Sequence, residues 1–244
     1  MSLLRRRAII GAQGGGVVVI PAIINFDLIN ADYVTYKTPP KLNQVTNSGT
    51  DLTAVKFISN RGTTGDNANY IIAEQGVLFP PGDQNIACVI DTPLGAGTNI
   101  KYINRSVYFV TRPITTNSER MIVFGAAGNN HQLRYDGGNP RMLYYSSSTG
   151  SRNFGTSGVT SGVKNVIGIH STASSQTITI DGQTDTFGGI NANDGFDRVG
   201  TWSGGSLGLD GYLHQILVFD QVHDLPQQAK VISELKTRWN INHF

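Results

Sequence analysis

The sequence predicts an all-β sandwich that ends in a single helix, and three observations predict it. Glycine is abundant, with 29 of 244 residues, and short apolar runs alternate with turn-forming residues along most of the chain. Hydrophobic residues make up 39% of the composition, enough for one sizeable core at this length. Clear helical periodicity occurs only near the carboxyl terminus. No repeat and no shift of composition marks a second domain, so we expect one domain over residues 23–244.

Residues 1–22 differ from the rest, and we expect them to form an extended N-terminal assembly arm. Apolar and basic side chains of the arm alternate in short groups: Leu3, Leu4, Arg5, Arg6, Arg7, Ile9 and Ile10. A basic start before an apolar stretch also suggests a signal peptide, but Gln13 and several glycines interrupt the stretch, and no small-residue cleavage site closes it. We therefore expect the arm to dock on a neighbouring subunit. The alternative is that it folds back onto its own domain.

Turn-punctuated strands are predicted along the middle of the chain. Short apolar or β-branched runs occupy 54–58, 71–74, 105–113, 121–125, 132–135, 141–145, 166–170 and 176–183. A Ser-, Gly- and Thr-rich segment at 146–162 is expected to be a long surface loop or a frayed edge. Cys88 lies in an apolar run, which favours a buried, inert thiol, and a lone cysteine excludes an intrachain disulfide.

The carboxyl terminus predicts a buried strand at 211–220 and an amphipathic helix at 225–238. Asp224 is a good N-cap, Gln227 completes a capping box, and Pro226 is tolerated in the first turn. The apolar face is predicted from three- and four-residue spacing to contain Leu225, Ala229, Ile232, Leu235 and Trp239. Within the strand, alternation places His214 opposite Leu213 and near the surface, as a structural histidine rather than a ligand.

These terminal residues carry a family resemblance. The run G-Y-L-H-Q-I-L-V-F-D, followed by L-P-x-x-A and then R-W-N-I, resembles the end of laminin-G-like (concanavalin A-like) jelly-roll domains. The likeness is strongest to such domains in bacteriophage structural proteins and bacterial surface proteins. Weaker matches lie at 29–50, 105–113 and 166–183, so the resemblance covers roughly residues 24–241. It implies an antiparallel jelly-roll sandwich, a fold that hosts lectins, glycosidases, adhesion modules and virion parts.

Charge and motifs limit the classes of function that the sequence supports. Charged residues make up only 15% of the chain and the net charge is +2, too small to indicate nucleic-acid binding. No pair of carboxylates shows the same-face strand spacing of a glycosidase, no G-x-S-x-G elbow joins a predicted strand to a helix, and no zinc-ligand spacing occurs. The loop residues Asn193, Asp194 and Asp197 could supply oxygen ligands to Ca²⁺, although their spacing does not match an EF-hand. We otherwise expect no cofactor, no metal and no enzymatic activity.

Sugar recognition is favoured by aromatic residues that lie beside amide or carboxylate groups in Gly- and Ser-rich segments. The candidate carbohydrate-binding residues are Tyr135, Asp136, Asn139, Asn153, Phe154 and Trp202. Trp202 is the best single candidate, and its alternative role is a lid packed over the edge of the sandwich. Trp239 differs, because its place on the apolar helix face predicts a core residue.

The sequence therefore predicts a non-enzymatic bacteriophage virion protein: a head-surface decoration, tail or fibre subunit anchored by its arm. Its expected partners are other virion subunits and further copies of itself, with host-surface glycans as an additional ligand. We expect assembly in the bacterial cytoplasm, without a membrane span. The alternative function is a lectin-like adhesin of a phage or bacterial surface, and a glycan hydrolase is the third and least supported class.

Overall fold

A computed structural model gives the architecture of the chain. It describes residues 21–29, 33–38, 41–46, 48–49, 56–60, 69–79, 87–92, 95–96, 100–101, 103–114, 124–125, 132–136, 141–146, 150–153, 161–180, 183–188, 195–196, 198–199 and 209–243. The predicted assembly arm lies outside the described residues, apart from its last two positions.

Strands make up nearly all of the regular structure. The strands of the first half are β1 (Ile24–Asp27), β2 (Val34–Thr38), β3 (Lys41–Thr46), β4 (Lys56–Asn60), β5 (Asn69–Ile71), β6 (Gly76–Phe79), β7 (Ala87–Thr92), β8 (Gly95–Ala96), β9 (Ile100–Lys101) and β10 (Arg105–Pro113). Those of the second half are β11 (Phe124–Gly125), β12 (Gln132–Asp136), β13 (Arg141–Ser146), β14 (Gly150–Asn153), β15 (Asn165–Ser171), β16 (Ser175–Ile180), β17 (Gln183–Gly188), β18 (Gly195–Phe196), β19 (Arg198–Val199) and β20 (Gly211–Phe219). The helix α1 (Leu225–Trp239) follows β20.

All strand pairings are antiparallel among the described strands, and they form two layers. In the first sheet, β1 and β6 pair with successive parts of one edge of β20, and the order continues β20–β10–β15–β16–β17. In the second sheet, the order is β2–β3–β4–β7–β19–β11–β12–β13–β14. A single pairing between β3 and β5 links the two sheets. The predicted all-β antiparallel sandwich with one C-terminal helix is confirmed.

The inner face of the first sheet forms a dry core against the second sheet. Val107, Phe109 and Ile167 are fully buried there, and Val45 of the second sheet belongs to the same apolar cluster. These residues alternate with outward-facing positions along their strands, as a period of two requires. Strand β10, which contains the weaker family match at 105–113, is flanked by β15 and β20.

The outer face of the first sheet carries α1. Leu217, Phe219 and Tyr108 of the sheet form a second buried cluster with Leu235 and Trp239 of the helix. Strands β10 and β20 are therefore covered on both faces, which explains why they read as nearly continuous apolar runs in the sequence.

The helix begins as the sequence predicts. The Asp224 side chain accepts a hydrogen bond from the Gln227 backbone N–H at 2.8 Å, and the Gln227 side chain accepts one from the Asp224 N–H at 2.9 Å. Asn240 ends the helix in the left-handed conformation, with φ of 53°. Trp239 is only 2% exposed, so its predicted core position is confirmed.

The predicted apolar face of α1 is partly wrong. Leu225 is 68% exposed and Ala229 is also exposed, whereas Gln228 and Val231 are buried beside the correctly predicted Ile232, Leu235 and Trp239. The physical reason is the direction in which the helix leaves its cap. His223 is tied to the sheet, and this contact turns the first helical turn so that Gln228, rather than Leu225, faces inward.

The predicted surface position of His214 is also wrong, since the residue is fully buried. A β-bulge interrupts the pairing of β10 with β20, where Val110 pairs with Gln215 and Thr111 pairs with Leu213. His214 is the extra residue, so simple alternation fails there. His214 lies opposite Leu213 as expected, but both His214 and Gln215 contact Trp239 beneath the helix.

One smaller difference concerns a strand boundary, and one further finding concerns membrane segments. The strand predicted at 71–74 is instead the end of β5 followed by a short 3-10 helix at Ile72–Glu74. Among the described helices, none is long and apolar enough to cross a membrane.

Candidate functional site

The predicted sugar-binding residues divide between described and undescribed parts of the chain. Tyr135 and Asp136 are the last two residues of β12, and Asn153 is the last residue of β14. Both strands pair with β13: Arg134 and Asn153 both lie opposite Leu143. Positions of a strand alternate between the two faces of a sheet, so Asp136 and Asn153 occupy one face and Tyr135 the other. The register thus does not bring these three positions together on one face.

The remaining predicted ligand residues fall outside the described part of the structure. These are Asn139, Phe154 and Trp202 of the sugar prediction, and Asn193, Asp194 and Asp197 of the calcium prediction. Strands β18 and β19 border Asp197 on either side. Within the described residues, no group of three His, Cys, Asp or Glu side chains could hold a metal ion.

The described side chains form an open groove between α1 and the β16–β17 hairpin, with a cavity volume of about 490 Å³. We call it the helix–hairpin groove. Its lining residues are Thr179, Thr184, Leu225, Gln228, Ala229, Ile232, Ser233 and Lys236. A volume of this size lies within the usual range for small-ligand sites, about 300–1,000 Å³.

Sheet register and helix packing together build this groove. Thr179 pairs with Thr184, and their hydroxyls lie 3.4 Å apart on the outer face of the hairpin. The neighbouring pair, Thr177 and Thr186, repeats the contact at 3.0 Å. The helix forms the opposite wall, where the exposed Leu225 presents apolar surface next to hydroxyl groups. The groove therefore combines an apolar wall with hydroxyl, amide and ammonium groups.

Sequence reasoning missed this groove, although a partial signal was present. The run T-I-T-I in β16 alternates hydroxyl and apolar side chains, and T-D-T in β17 places two threonines at the partner positions. Two threonine rows on one solvent-facing side could have been recognised from this alternation. The place where α1 crosses them is a tertiary fact that the local pattern does not contain.

At its inner end the groove is fixed by Gln228. The Gln228 amide nitrogen donates to the His223 carbonyl oxygen at 2.8 Å, and its amide oxygen accepts from the Thr179 hydroxyl at 3.4 Å. Gln228 is 7% exposed, so these hydrogen bonds satisfy a buried amide. They also set the width of the groove by tying the helix to the hairpin.

Behind Gln228 lies a buried polar cluster that contains a serine and two histidines. The Ser106 hydroxyl is 3.0 Å from His170 Nδ1 and accepts a hydrogen bond from the His223 backbone N–H at 2.8 Å. The Tyr108 hydroxyl lies 2.8 Å from His223 Nδ1. Gly168 leaves room for the His170 ring, because a Cβ there would lie 2.8 Å from Nε2.

This Ser–His pair is built as a structural contact. Ser106 is fully buried and His170 is 2% exposed, so the hydroxyl is closed to an external substrate. Burial lowers the pKa of His170 to about 3 and that of His223 to about 4, and it raises the pKa of Tyr108. Both imidazoles are therefore neutral near pH 7 and act as hydrogen-bonding partners that seat the helix.

Several of the described carboxylates are engaged by structural partners. Asp27 pairs with Arg238 of α1, and burial raises the pKa of this carboxyl although the arginine opposes the shift. Asp220 pairs with Arg105 at 3.0 Å, and Asp224 caps the helix. These carboxylates are spread over the sheet and helix ends and do not line the helix–hairpin groove.

Comparison with known proteins gives no match by sequence. No protein-family model matches the chain, and no curated protein matches it.

Solved structures match it in fold. A mutant of Trypanosoma rangeli sialidase with trans-sialidase activity superposes with a TM-score of 0.58 at 8% identity, over 88% of this chain and 35% of that one. Domain 4 of AbnA, a GH43 extracellular arabinanase from Geobacillus stearothermophilus solved with arabinotriose, gives 0.54 at 13% identity, over 86% and 97%. The binding domain of botulinum neurotoxin serotype D gives 0.56 at 12% identity, over 89% and 51%.

These likenesses identify the architecture. The chain spans about a third of the sialidase and about half of the neurotoxin binding domain, whereas it matches AbnA domain 4 along nearly its whole length. Identities of 8–13% show a shared fold only. The chain therefore has the β-sandwich architecture that also occurs in sialidase, arabinanase and neurotoxin binding domains.

Proposed function

We propose that this chain is a non-enzymatic β-sandwich module that binds glycans reversibly, and that it does so as a structural subunit of a bacteriophage virion. The helix–hairpin groove carries the glycan-binding part of the proposal. Sugar rings present apolar C–H surface beside hydroxyl groups, and the groove offers the apolar side chain of Leu225 beside the hydroxyl of Thr184 and the side chain of Lys236. The AbnA domain solved with arabinotriose shares this fold over nearly its whole length, which supports the same ligand class.

The absence of catalysis is supported by how the described acid and base groups are used. Ser106 and His170 lie under the helix, and the carboxylates of Asp27, Asp220 and Asp224 hold arginines or a helix end. None of these groups lines the groove. A bound sugar would then contact hydroxyl and ammonium groups, which bind it without cleaving a glycosidic bond.

A glycan array with the purified full chain tests the binding. We expect Leu225→Ala and Thr184→Val to weaken binding about fivefold each, since each removes a contact worth about 1 kcal/mol. Both side chains are exposed, so the fold tolerates the changes. Thr186→Val is the matched control, because Thr186 lies on the same strand and face but does not line the groove. Equal loss in all three variants, or no glycan bound by the unmodified chain, contradicts the proposal.

The virion setting rests on the resemblance of the terminal strand and helix to phage structural domains and on the composition of residues 1–22. Deletion of residues 2–20 should leave a folded domain that no longer joins its particle or oligomer, because the Leu, Ile and Arg side chains of the arm are its proposed anchor. If the truncated chain enters particles at the same level as the full chain, the arm is not the anchor. A bacterial adhesin would instead bind glycans without being part of a particle.

A further inference from the structure

A second polar surface lies on the outer face of the first sheet, at the end opposite the helix N-terminus. It consists of Arg112, Lys164, Glu74 and Tyr212, which we call the cationic corner. The Arg112 Nη2 atom is 2.9 Å from Glu74 Oε2, and its guanidinium carbon lies 4.5 Å from the centre of the Tyr212 ring. Lys164 Nζ lies 5.1 Å from the centre of the ring of Trp239.

The fold brings these residues together from separate parts of the chain. Arg112 and Tyr212 are cross-strand partners on β10 and β20. Glu74 ends the short 3-10 helix before β6, and Lys164 immediately precedes β15. Stacking on Tyr212 and pairing with Glu74 hold the guanidinium in one orientation, which reduces the entropy lost when a ligand binds it.

The charges of the corner do not balance. Two cations face one carboxylate, and the described part of the chain gives Lys164 no carboxylate partner of its own. Burial lowers the pKa of Lys164, an effect that Glu74 opposes and Arg112 reinforces. Desolvated cations with a net charge of +1 favour the approach of one negative charge.

Two unmet hydrogen-bonding groups lie beside these charges, and two exposed apolar side chains lie near them in the sequence. Arg112 Nε and His214 Nε2 are buried without a hydrogen-bond partner among the described atoms. Close to Glu74 in sequence, Ile72 is 69% exposed, and Ile114, two residues beyond Arg112, is 42% exposed. The neutral His214 ring donates through Nδ1 to the Gln75 carbonyl oxygen, so its Nε2 is an acceptor. The donors that the corner offers an anion are therefore those of Arg112 and Lys164.

We propose that the cationic corner is a binding site for a carboxylate-bearing sugar, with the carboxylate held between Arg112 and Lys164. This inference rests on the proposed glycan-binding function for the sugar part of the ligand, and it names a site separate from the helix–hairpin groove. A planar guanidinium matches the two oxygens of a carboxylate. A single carboxylate cancels the net charge of +1, whereas a phosphate dianion would exceed it.

The test compares an acidic sugar with its methyl ester, in which each carboxylate is replaced by an uncharged ester group. The full chain is titrated with trigalacturonic acid and with its trimethyl ester, by calorimetry or by ligand-observed NMR, at low and at high salt. We expect the acid to bind at least tenfold more tightly than the ester, and the difference to shrink in 0.5 M NaCl, because exposed charges are screened within about 4–5 Å at that ionic strength. Inorganic phosphate is added as a competitor in a third series.

Matched variants locate the site. Arg112→Met and Lys164→Met should each weaken binding of the acid about tenfold, the loss expected for one charge-assisted hydrogen bond, and leave the ester unchanged. Arg105→Met is the control: Arg105 and Arg112 lie on the same strand, their side chains are 26% and 25% exposed, and each pairs with one carboxylate. Thermal unfolding of each variant confirms that it is folded.

The possible results separate this site from the proposed function. Tighter binding of the acid that Arg112→Met and Lys164→Met reduce, and that Arg105→Met does not, supports the site. Equal binding of acid and ester, or equal effects of all three variants, overturns it while neutral glycans on the array still support the proposed function. Displacement of the acid by millimolar phosphate overturns the carboxylate assignment. A chain that binds no glycan at all overturns both proposals.

Discussion

The two faces of the first sheet are both buried, but they are held by different forces. On the inner face, Val107, Phe109 and Ile169 meet other apolar side chains in a single cluster. On the outer face, beneath α1, the apolar residues are interleaved with buried hydrogen-bonding groups such as Ser106 and His170. The inner face excludes water over a large area, and the outer face adds directional contacts.

This difference shows how a single helix can be seated uniquely on a sheet. Apolar contacts are largely non-directional and would allow α1 to slide or turn. The bonds from Trp239 to Gln215 and from His223 to Ser106 are directional, and each leaves a buried group unsatisfied if the helix moves. The helix–hairpin groove depends on this seating, because α1 forms one of its walls.

Truncation of Trp239 should have the largest effect. Trp239→Ala removes a side chain that is 2% exposed and donates to Gln215 at 2.7 Å, so we expect a loss of about 3–5 kcal/mol in the free energy of unfolding. Leu225→Ala on the same helix is the control and should change stability by less than about 0.5 kcal/mol. Urea unfolding measures both. Similar losses would mean that the outer cluster does not hold the helix.

Lowering the pH should destabilise the contacts of the outer face before it affects those of the inner face. Burial lowers the pKa of His170 and His214 to about 3 from the ordinary 6.5. Between these values the unfolded chain binds more protons than the folded chain. The free energy of unfolding therefore falls as the pH drops below about 6.5, by up to about 1.4 kcal/mol per pH unit for each histidine.

Urea unfolding at pH 7, 6 and 5 measures this dependence. His170→Asn keeps an amide near the position of Nδ1 and removes one titrating group, so its curve should be flatter than that of the unmodified chain. Stability that stays constant from pH 7 to pH 5 would contradict the role given to these histidines.

Removal of one hydroxyl group should distinguish most clearly how the two faces contribute to stability. Tyr108→Phe leaves His223 Nδ1 without its partner at 2.8 Å, and we expect a cost of about 1–3 kcal/mol. Ile167→Val on the inner face removes one methyl group and should cost about 0.5–1.5 kcal/mol. If Tyr108→Phe leaves the free energy of unfolding unchanged, the hydrogen bonds of the outer face add nothing to stability.

The smallest effect concerns the helix cap. Asp224→Ala removes the acceptor for the Gln227 N–H and should cost about 1 kcal/mol. Asp220→Ala breaks only an exposed pair with Arg105 and should cost about 0–1 kcal/mol, at the low end in salt. Thermal unfolding of both variants in low and high salt distinguishes the cap from the surface pair.

Much of the fold could be predicted because its signals are local. The cap at Asp224, the strand that precedes it and the hairpin of β15 and β16 each follow from a few adjacent residues. The prediction failed at His214, where a bulge breaks the alternation, and at Leu225, where contacts of His223 with the sheet set the rotation of the helix. Both errors arise from tertiary contacts that no short pattern contains.

The candidate sites were less accessible to sequence reasoning for the same reason. Thr184 and Gln228 are 44 positions apart and line one groove only because α1 crosses the hairpin. Arg112, Lys164 and Glu74 are likewise brought together by strand order rather than by a motif. The predicted residues Tyr135, Asp136 and Asn153 drew on loop composition, and the sheet register separates Tyr135 from the other two.

Reversible glycan binding without chemical change is the central claim, and one measurement tests it most directly. The purified chain is incubated with a bacterial surface polysaccharide, and the bound fraction and the chain length of the polysaccharide are measured in the same sample. The account predicts binding that is lost on dilution, with the chain length unchanged and no reducing sugar released. Shortened polysaccharide, or no binding to any surface polysaccharide, would contradict it.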